Sequence, residues 1–170
     1  GKNPRVLCNG VDPAWDVDGK TLYYSSNANG TWDIWKLDTT TGQQVAVTND
    51  PGNEFSPVPN PSGNGDLAYV STASGNRDIW ILRQGVPVQL TQWLGEDIDP
   101  TWTPDGKRVV FATTRFSARL RYDLASVDPY GTATVPGVKL PVGPPATPGV
   151  KPPEGTAPAP APGVKLPEAA

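Results

Sequence analysis

Histidine is missing altogether from these 170 residues, and cysteine is present once, as Cys8. Without histidine no Ser-His-Asp or Cys-His arrangement can be assembled, and the commonest metal ligand and near-neutral acid-base group is gone. Most enzyme classes end there, and neither a cofactor nor a metal site is expected. A lone cysteine rules out an internal disulfide framework. Cys8 therefore reads as a small apolar strand residue, with pairing to another chain as the other option. Charge of one sign is not concentrated anywhere: 14 Lys and Arg against 17 Asp and Glu leave a net of -3. With a sequence pI of about 4.8, the basic stripe of a nucleic-acid binder is absent. Long apolar runs are lacking too, and nothing approaches the roughly 20 residues that cross a bilayer as a helix. No leader peptide is read at the start of the sequence, which excludes nothing about secretion, since a chain that begins at Gly1 instead of methionine is also what a processed chain looks like. Aromatic residues stop at Tyr130.

What the first part of the chain does have is a repeat. "GTWDIWKLD" (Gly30 to Asp38) returns as "GNRDIWILR" and, degraded, as "LRYDLASVD", so that Asp33, Asp78 and Asp123 stand 45 positions apart. A site occurs once, whereas a building block recurs, and this period matches one four-stranded β-propeller blade. In the first copy "DPAWDVDGK" supplies a strand and a turn, and "TLYYSS" a second strand of alternating polarity. "TWDIWKLD" is the third strand and "QQVAVT" the fourth. "TPDGK" (Thr103 to Lys107) fills in the third copy the turn that "DVDGK" fills in the first, with proline presetting φ and Asp-Gly tolerating positive φ. The expected fold is all-β: an orphan strand at 5–8, then three four-stranded antiparallel blades at about 11–50, 55–92 and 98–135. Residues 136–170 follow as a low-complexity tail holding 11 of the 21 prolines, which is expected to be extended or disordered when alone.

"DPAW", "SPVP" and "DPTW" at the blade starts, "TPDGK" in the first turn, "NGTWDIWKLD" in the third strand and "VTNDPGNEFSP" between blades resemble the WD-like propeller repeats of the TolB family. That family is the periplasmic component of the Tol-Pal system. The resemblance covers about Val6 to Thr134 and implies a propeller that binds other proteins, with six blades and a separate α/β domain. Three repeats are found here, and no α/β domain.

Several residues invite a functional reading beside an architectural one. Trp15 and Trp102 are equivalent, as are Trp35 and Trp80, and packing between neighbouring blades explains all four. Asp33, Asp78 and Asp123 suit acceptors for adjacent turn donors. "DVDG" (Asp16 to Gly19) has two oxygens at a calcium-loop spacing but lacks the remaining ligands. Trp93 breaks the repeat in the loop between the second and third blades. With Glu96 and Asp97 it forms a candidate protein-contact patch, with plain loop packing as the alternative. Asn29 heads an Asn-Gly-Thr glycosylation sequon, and Thr147 and Thr156 in the tail suit O-linked sugars. The tail repeats "VPGVKLP", "TPGVKPP" and "APGVKLP" read either as a groove-docking ligand or as a flexible spacer.

Three blades cannot close a propeller ring. Left bare, the outer faces of the first and third blades would expose broad apolar surface. Twofold pairing or head-to-tail association would cover them, and a longer parent chain is the further option. Arg5, Val6, Leu7 and Cys8 resemble the fourth strand of a blade whose other strands are absent. They could complete the third blade of a neighbour by strand exchange, giving a filament, or that of their own chain. The expected function is a non-catalytic, secreted or periplasmic module for protein-protein interaction and self-assembly. No nucleic acid and no membrane insertion are expected, and another envelope or extracellular protein is a possible partner. The alternatives are the propeller portion of a hydrolase related to prolyl oligopeptidase, and a carbohydrate-binding propeller that uses Trp93.

Overall fold

A computed structural model of the chain describes residues 4–115 and 122–131. Thr132 to Val135, expected as the fourth strand of the third blade, lie outside these residues. So do Thr147, Thr156 and the rest of the Pro-rich tail.

All regular structure among the described residues is strand. The first sheet is the meander β1 (Val11–Trp15), β2 (Thr21–Ser26), β3 (Asp33–Asp38) and β4 (Gln44–Ala46). The second repeats it with β5 (Glu54–Pro59), β6 (Leu67–Ser71), β7 (Asp78–Arg83) and β8 (Val86–Gln89). The third has β9 (Asp97–Trp102), β10 (Val109–Thr113) and β11 (Asp123–Val127), three strands among the described residues. Every pairing is antiparallel, as short turns between consecutive strands require. These sheets are propeller blades.

The two "DGK" turns fold alike because the same chemistry builds them. The Asp18 carboxylate accepts from the amides of Lys20 (2.7 Å) and Thr21 (2.8 Å), and Gly19 takes a φ of 66°. Those bonds hold the Asp18 carboxyl below its usual range. In the third blade Asp105 accepts from the Lys107 amide and the Thr103 hydroxyl, and Gly106 takes a φ of 67°. A side chain at Gly106 would also meet the Asn60 Oδ1 at 2.2 Å, so only glycine fits. The "VT" and "LT" signatures that end the first two repeats have a role as well. The Thr48 and Thr91 hydroxyls accept the amides of Ile34 and Ile79 at 2.8 and 2.9 Å, which extends each ladder past its outermost strand.

Burial along the second strands records how the blades stack. In the middle blade β6 is buried at all five positions, whereas β10 alternates buried with half-buried. A strand covered on both faces loses the period of two, and one covered on a single face keeps it. Between blades one and two, Ile34, Leu67 and Tyr69 form a core with Val47, Trp80 and Leu82 against it. Between blades two and three, Val70, Ile79, Ile81, Leu90, Trp102, Val109 and Phe111 form a larger one. Trp102 is 7% exposed and donates its indole N–H to the Val58 carbonyl of blade two at 2.9 Å. Its equivalent Trp15 departs from the interblade packing expected of it and is 57% exposed, because no blade among the described residues stands before the first.

Arg5 to Cys8 belong to no sheet among the described strands. Arg5, Val6 and Leu7 are exposed, while Cys8 packs against the cluster of Leu22, Tyr24 and Leu37 on the free face of blade one, beside Trp35.

Candidate functional site

The first strand of each blade carries the same backbone irregularity. Asp12, Ser56 and Asp99, each just before the proline of its strand, take φ values of 52°, 51° and 52°, and the pairing to the next strand slips around each of them. Left-handed backbone is unusual for residues other than glycine, and each of these precedes a proline, which ordinarily drives its neighbour into extended conformation. Three strained positions kept in register across three blades, at on the order of 1–3 kcal/mol apiece, mark a place where the surrounding structure holds a surface in shape.

That surface is an open cleft of about 200 Å3, lined by Asp12, Ser56 and Asp99 together with Phe55, Val70, Arg77 and Ile98. The Ser56 amide donates to Asp12 Oδ2 at 3.1 Å and so ties the first blade to the second across the cleft. Arg77 lies 3.7 Å from Glu96 in a solvent-exposed pair. The cleft thus offers two carboxylates, one guanidinium and an apolar floor.

The loop between blades two and three borders this cleft through Glu96. Asn76 Nδ2 donates to the carbonyls of Trp93 (2.8 Å) and Gly95 (2.7 Å), and the Glu96 amide donates to the Thr114 hydroxyl at 2.9 Å. These bonds hold the loop so that Trp93 stays 42% exposed with the Arg115 guanidinium 5.3 Å from its ring centre. Trp93 and Glu96 therefore sit on the surface, as a contact patch needs. Asp97 does not: it opens β9, is fully buried and pairs with Arg115. A residue enclosed in this way cannot contact a partner, and of the three only Trp93 and Glu96 reach solvent. Asn29 is exposed in a turn closed by the Gly30 amide on the Asn27 carbonyl at 3.0 Å.

Buried acids continue through both junctions. Asp33 Oδ2 accepts from the Thr31 hydroxyl at 3.1 Å, and Asp78 accepts from Ser74 (2.5 Å), Thr91 (3.1 Å) and Gln89 (3.1 Å). This is the acceptor role that the repeat suggested. Glu54, in the place that Asp97 takes in the next blade, accepts from the Ser71 hydroxyl at 2.9 Å. Burial, reinforced by Asp33 and Asp50 nearby, pushes the Glu54 carboxyl up to about 7. Among the described residues no group of three or more His, Cys, Asp or Glu is placed to hold a metal ion. No helix there is long and apolar enough to cross a membrane.

Sequence reasoning missed Arg115, Glu54 and the strained trio. The trio had a signal, since "DP", "SP" and "DP" recur at equivalent positions, but nothing in those dipeptides announces a left-handed φ. Tyr130 was missed as well. Its hydroxyl donates to Asp66 Oδ2 (2.7 Å) and accepts from Asn60 (2.7 Å) and Asn64 (2.9 Å), while its ring stacks on Trp102 and lies under Arg83.

Compared with known proteins, residues 1–125 match the TolB beta propeller domain. The chain belongs to the TolB β-propeller family. Among curated relatives of this TolB-type chain, an uncharacterised protein of Agrobacterium fabrum is 27% identical over 66% of the chain and 40% of its own length. The Tol-Pal system protein TolB of Francisella tularensis is 32% identical over 37% of the chain and 16% of its own length. Among solved structures, TolB from Acinetobacter baumannii superposes with a TM-score of 0.60 at 26% identity, over 71% of this chain and 30% of that one. The TolB-type segment described here thus spans less than half the length of the relatives it matches.

Proposed function

We propose that this chain is a non-catalytic protein-interaction module of the periplasm or cell exterior, and that it associates with copies of itself head to tail. Membership of the TolB family supports the interaction role and an envelope location, since a relative is named as a Tol-Pal system protein. The observation that carries the reading is the cleft at Asp12, Ser56 and Asp99, whose strain is repeated in three blades and whose walls combine charged and apolar side chains. Trp93 and Glu96 on the adjoining loop extend that surface. The self-association reading is supported by β11, which pairs among the described strands with β10 alone. An extended segment such as Arg5 to Cys8 of a neighbour would add its backbone hydrogen bonds there, and repetition of that unlike contact extends a filament.

Sedimentation of the full chain beside one lacking residues 1 to 9 tests the assembly. The shorter chain is expected to give small, still β-rich species by circular dichroism, and unchanged assembly would sink strand exchange. For the interaction surface, Trp93→Ala is expected to leave thermal unfolding within about 0.5 kcal/mol of the parent, as exposed substitutions do. A large loss of stability would make Trp93 a packing residue.

A further inference from the structure

The two sealed junctions are built on one knob and one socket. Ile34 and Ile79 hold the same place, second in the third strand of their blades, and both are fully buried against the blade that follows. Ile34 enters a socket whose wall includes Val47, Tyr69 and Trp80. Ile79 enters the equivalent socket, whose wall includes Leu90, Phe111 and Ala125.

At the two ends of the described chain the halves of this contact stand apart. Leu124 is second in β11, the third such knob, and is 81% exposed. Blade one carries the third such socket, where Cys8, Tyr24 and Trp35 stand in the places of Val47, Tyr69 and Trp80. There the structure has an open cleft of about 270 Å3, lined by those three with Val6, Ser26 and Gln44. A second mismatch runs alongside. Trp102 donates to the Val58 carbonyl of the blade before it, while the exposed Trp15 has no blade before it among the described residues. The carbonyl equivalent to that of Val58 in blade three belongs to Thr101, on the exposed surface.

We propose that a second copy of this chain joins these halves: Leu124 of one copy fills the Cys8–Tyr24–Trp35 cleft of the other, and Trp15 donates its indole N–H to the Thr101 carbonyl across the same contact. The inference rests on the self-association reading above and names its surface. The occupant is a copy of this chain because the free faces repeat, position for position, an interface the chain already makes twice. Knobs and sockets that fit within the chain are shaped to fit between chains. Among its described residues each copy leaves one knob and one socket open, so the contact is of unlike surfaces. It also places the segment ending at Cys8 along the partner's β11, where strand exchange requires it.

Analytical ultracentrifugation of the full 170-residue chain tests the contact, with Leu124→Asp, Trp15→Ala and, as a control on the outer edge of blade two, Val86→Asp. The parent and the control are expected at twice or a higher multiple of 18.0 kDa. Leu124→Asp is expected at the single-chain mass with an unchanged circular dichroism spectrum, and Trp15→Ala is expected to weaken association at least tenfold. Because Cys8 is the chain's only cysteine, Leu124→Cys under oxidised glutathione is expected to give a covalent dimer with Cys8 of a partner, absent when Cys8 is replaced by serine. A parent that stays single-chain at all concentrations overturns self-association and this contact together. Association that survives Leu124→Asp, without the Cys8 crosslink, overturns this contact and leaves self-association standing.

Discussion

Glu54 and Asp97 occupy one position, the start of an inner strand facing the previous blade, and both are fully buried. Their surroundings differ. Glu54 meets the hydroxyls of Ser71 and Thr48 and lies near two further acids. Asp97 meets the guanidinium of Arg115, which also lies over Phe111 and Trp93. The difference traces to one residue two places beyond the second strand, Ala73 in blade two and Arg115 in blade three. The repeat therefore sets where an acid is enclosed, and the neighbour decides what it pairs with. In blade three the partner is a cation. Without one, burial shifts the group toward its neutral form.

Breaking the charged junction is expected to have the largest effect. Arg115→Ala leaves Asp97 enclosed without its cation and is expected to cost about 3–5 kcal/mol in urea unfolding; a cost below about 1 kcal/mol would mean that solvent reaches the pair. The apolar part of the two junctions is expected to respond equally. Ile34→Ala and Ile79→Ala should each cost about 2–4 kcal/mol as core truncations, whereas Leu124→Ala, the same position uncovered, should cost under about 0.5 kcal/mol in a dilute single-chain sample.

The uncharged junction should show itself in pH dependence. The Glu54 carboxyl is raised from 4.5 to about 7 in the folded chain by burial. The folded state thus holds the proton more tightly, and the stabilisation is fully present below about 4.5 and lost as pH rises through about 7. Glu54→Gln is expected to flatten the stability profile in that window by about 3 kcal/mol. A profile unaltered by the substitution would make some other group responsible.

The smallest expected effect sharpens the same contrast at the outer rim. Tyr130 ties blade three to Asn60, Asn64 and Asp66 of blade two, and the equivalent residue of blade two is Gly85, which makes no such bridge. Tyr130→Phe should therefore cost about 1 kcal/mol and loosen only the second junction, read as faster amide exchange in β9 relative to β5. Equal exchange in both strands would remove the latch.

The blade pattern was legible because it rests on local rules. Alternating strands, Asp-Gly turns and a 45-residue period recur in the chain and in the fold alike. The acceptor roles of Asp33 and Asp78 followed from the same repetition. Asp97 escaped this reading because an acid in a loop-like sequence looks exposed, and its partner Arg115 stands eighteen residues later and one strand away. Trp15 escaped it for the opposite reason: its sequence is that of a buried strand residue, and exposure comes from what does not stand beside it.

By itself the sequence determined which segments are strands, where they turn, which faces are apolar and that no histidine chemistry is available. These depend on side-chain periodicity and backbone preference over a few residues, and such information is carried locally. Only the tertiary structure decided that Asp12, Ser56 and Asp99 share one strained conformation around one cleft, that Glu54 and Asp97 lie in unlike electrostatic surroundings, and that Ile34 and Ile79 are sealed while Leu124 is bare. Each depends on which blade comes to lie against which, a relation between residues tens of positions apart that no local pattern encodes.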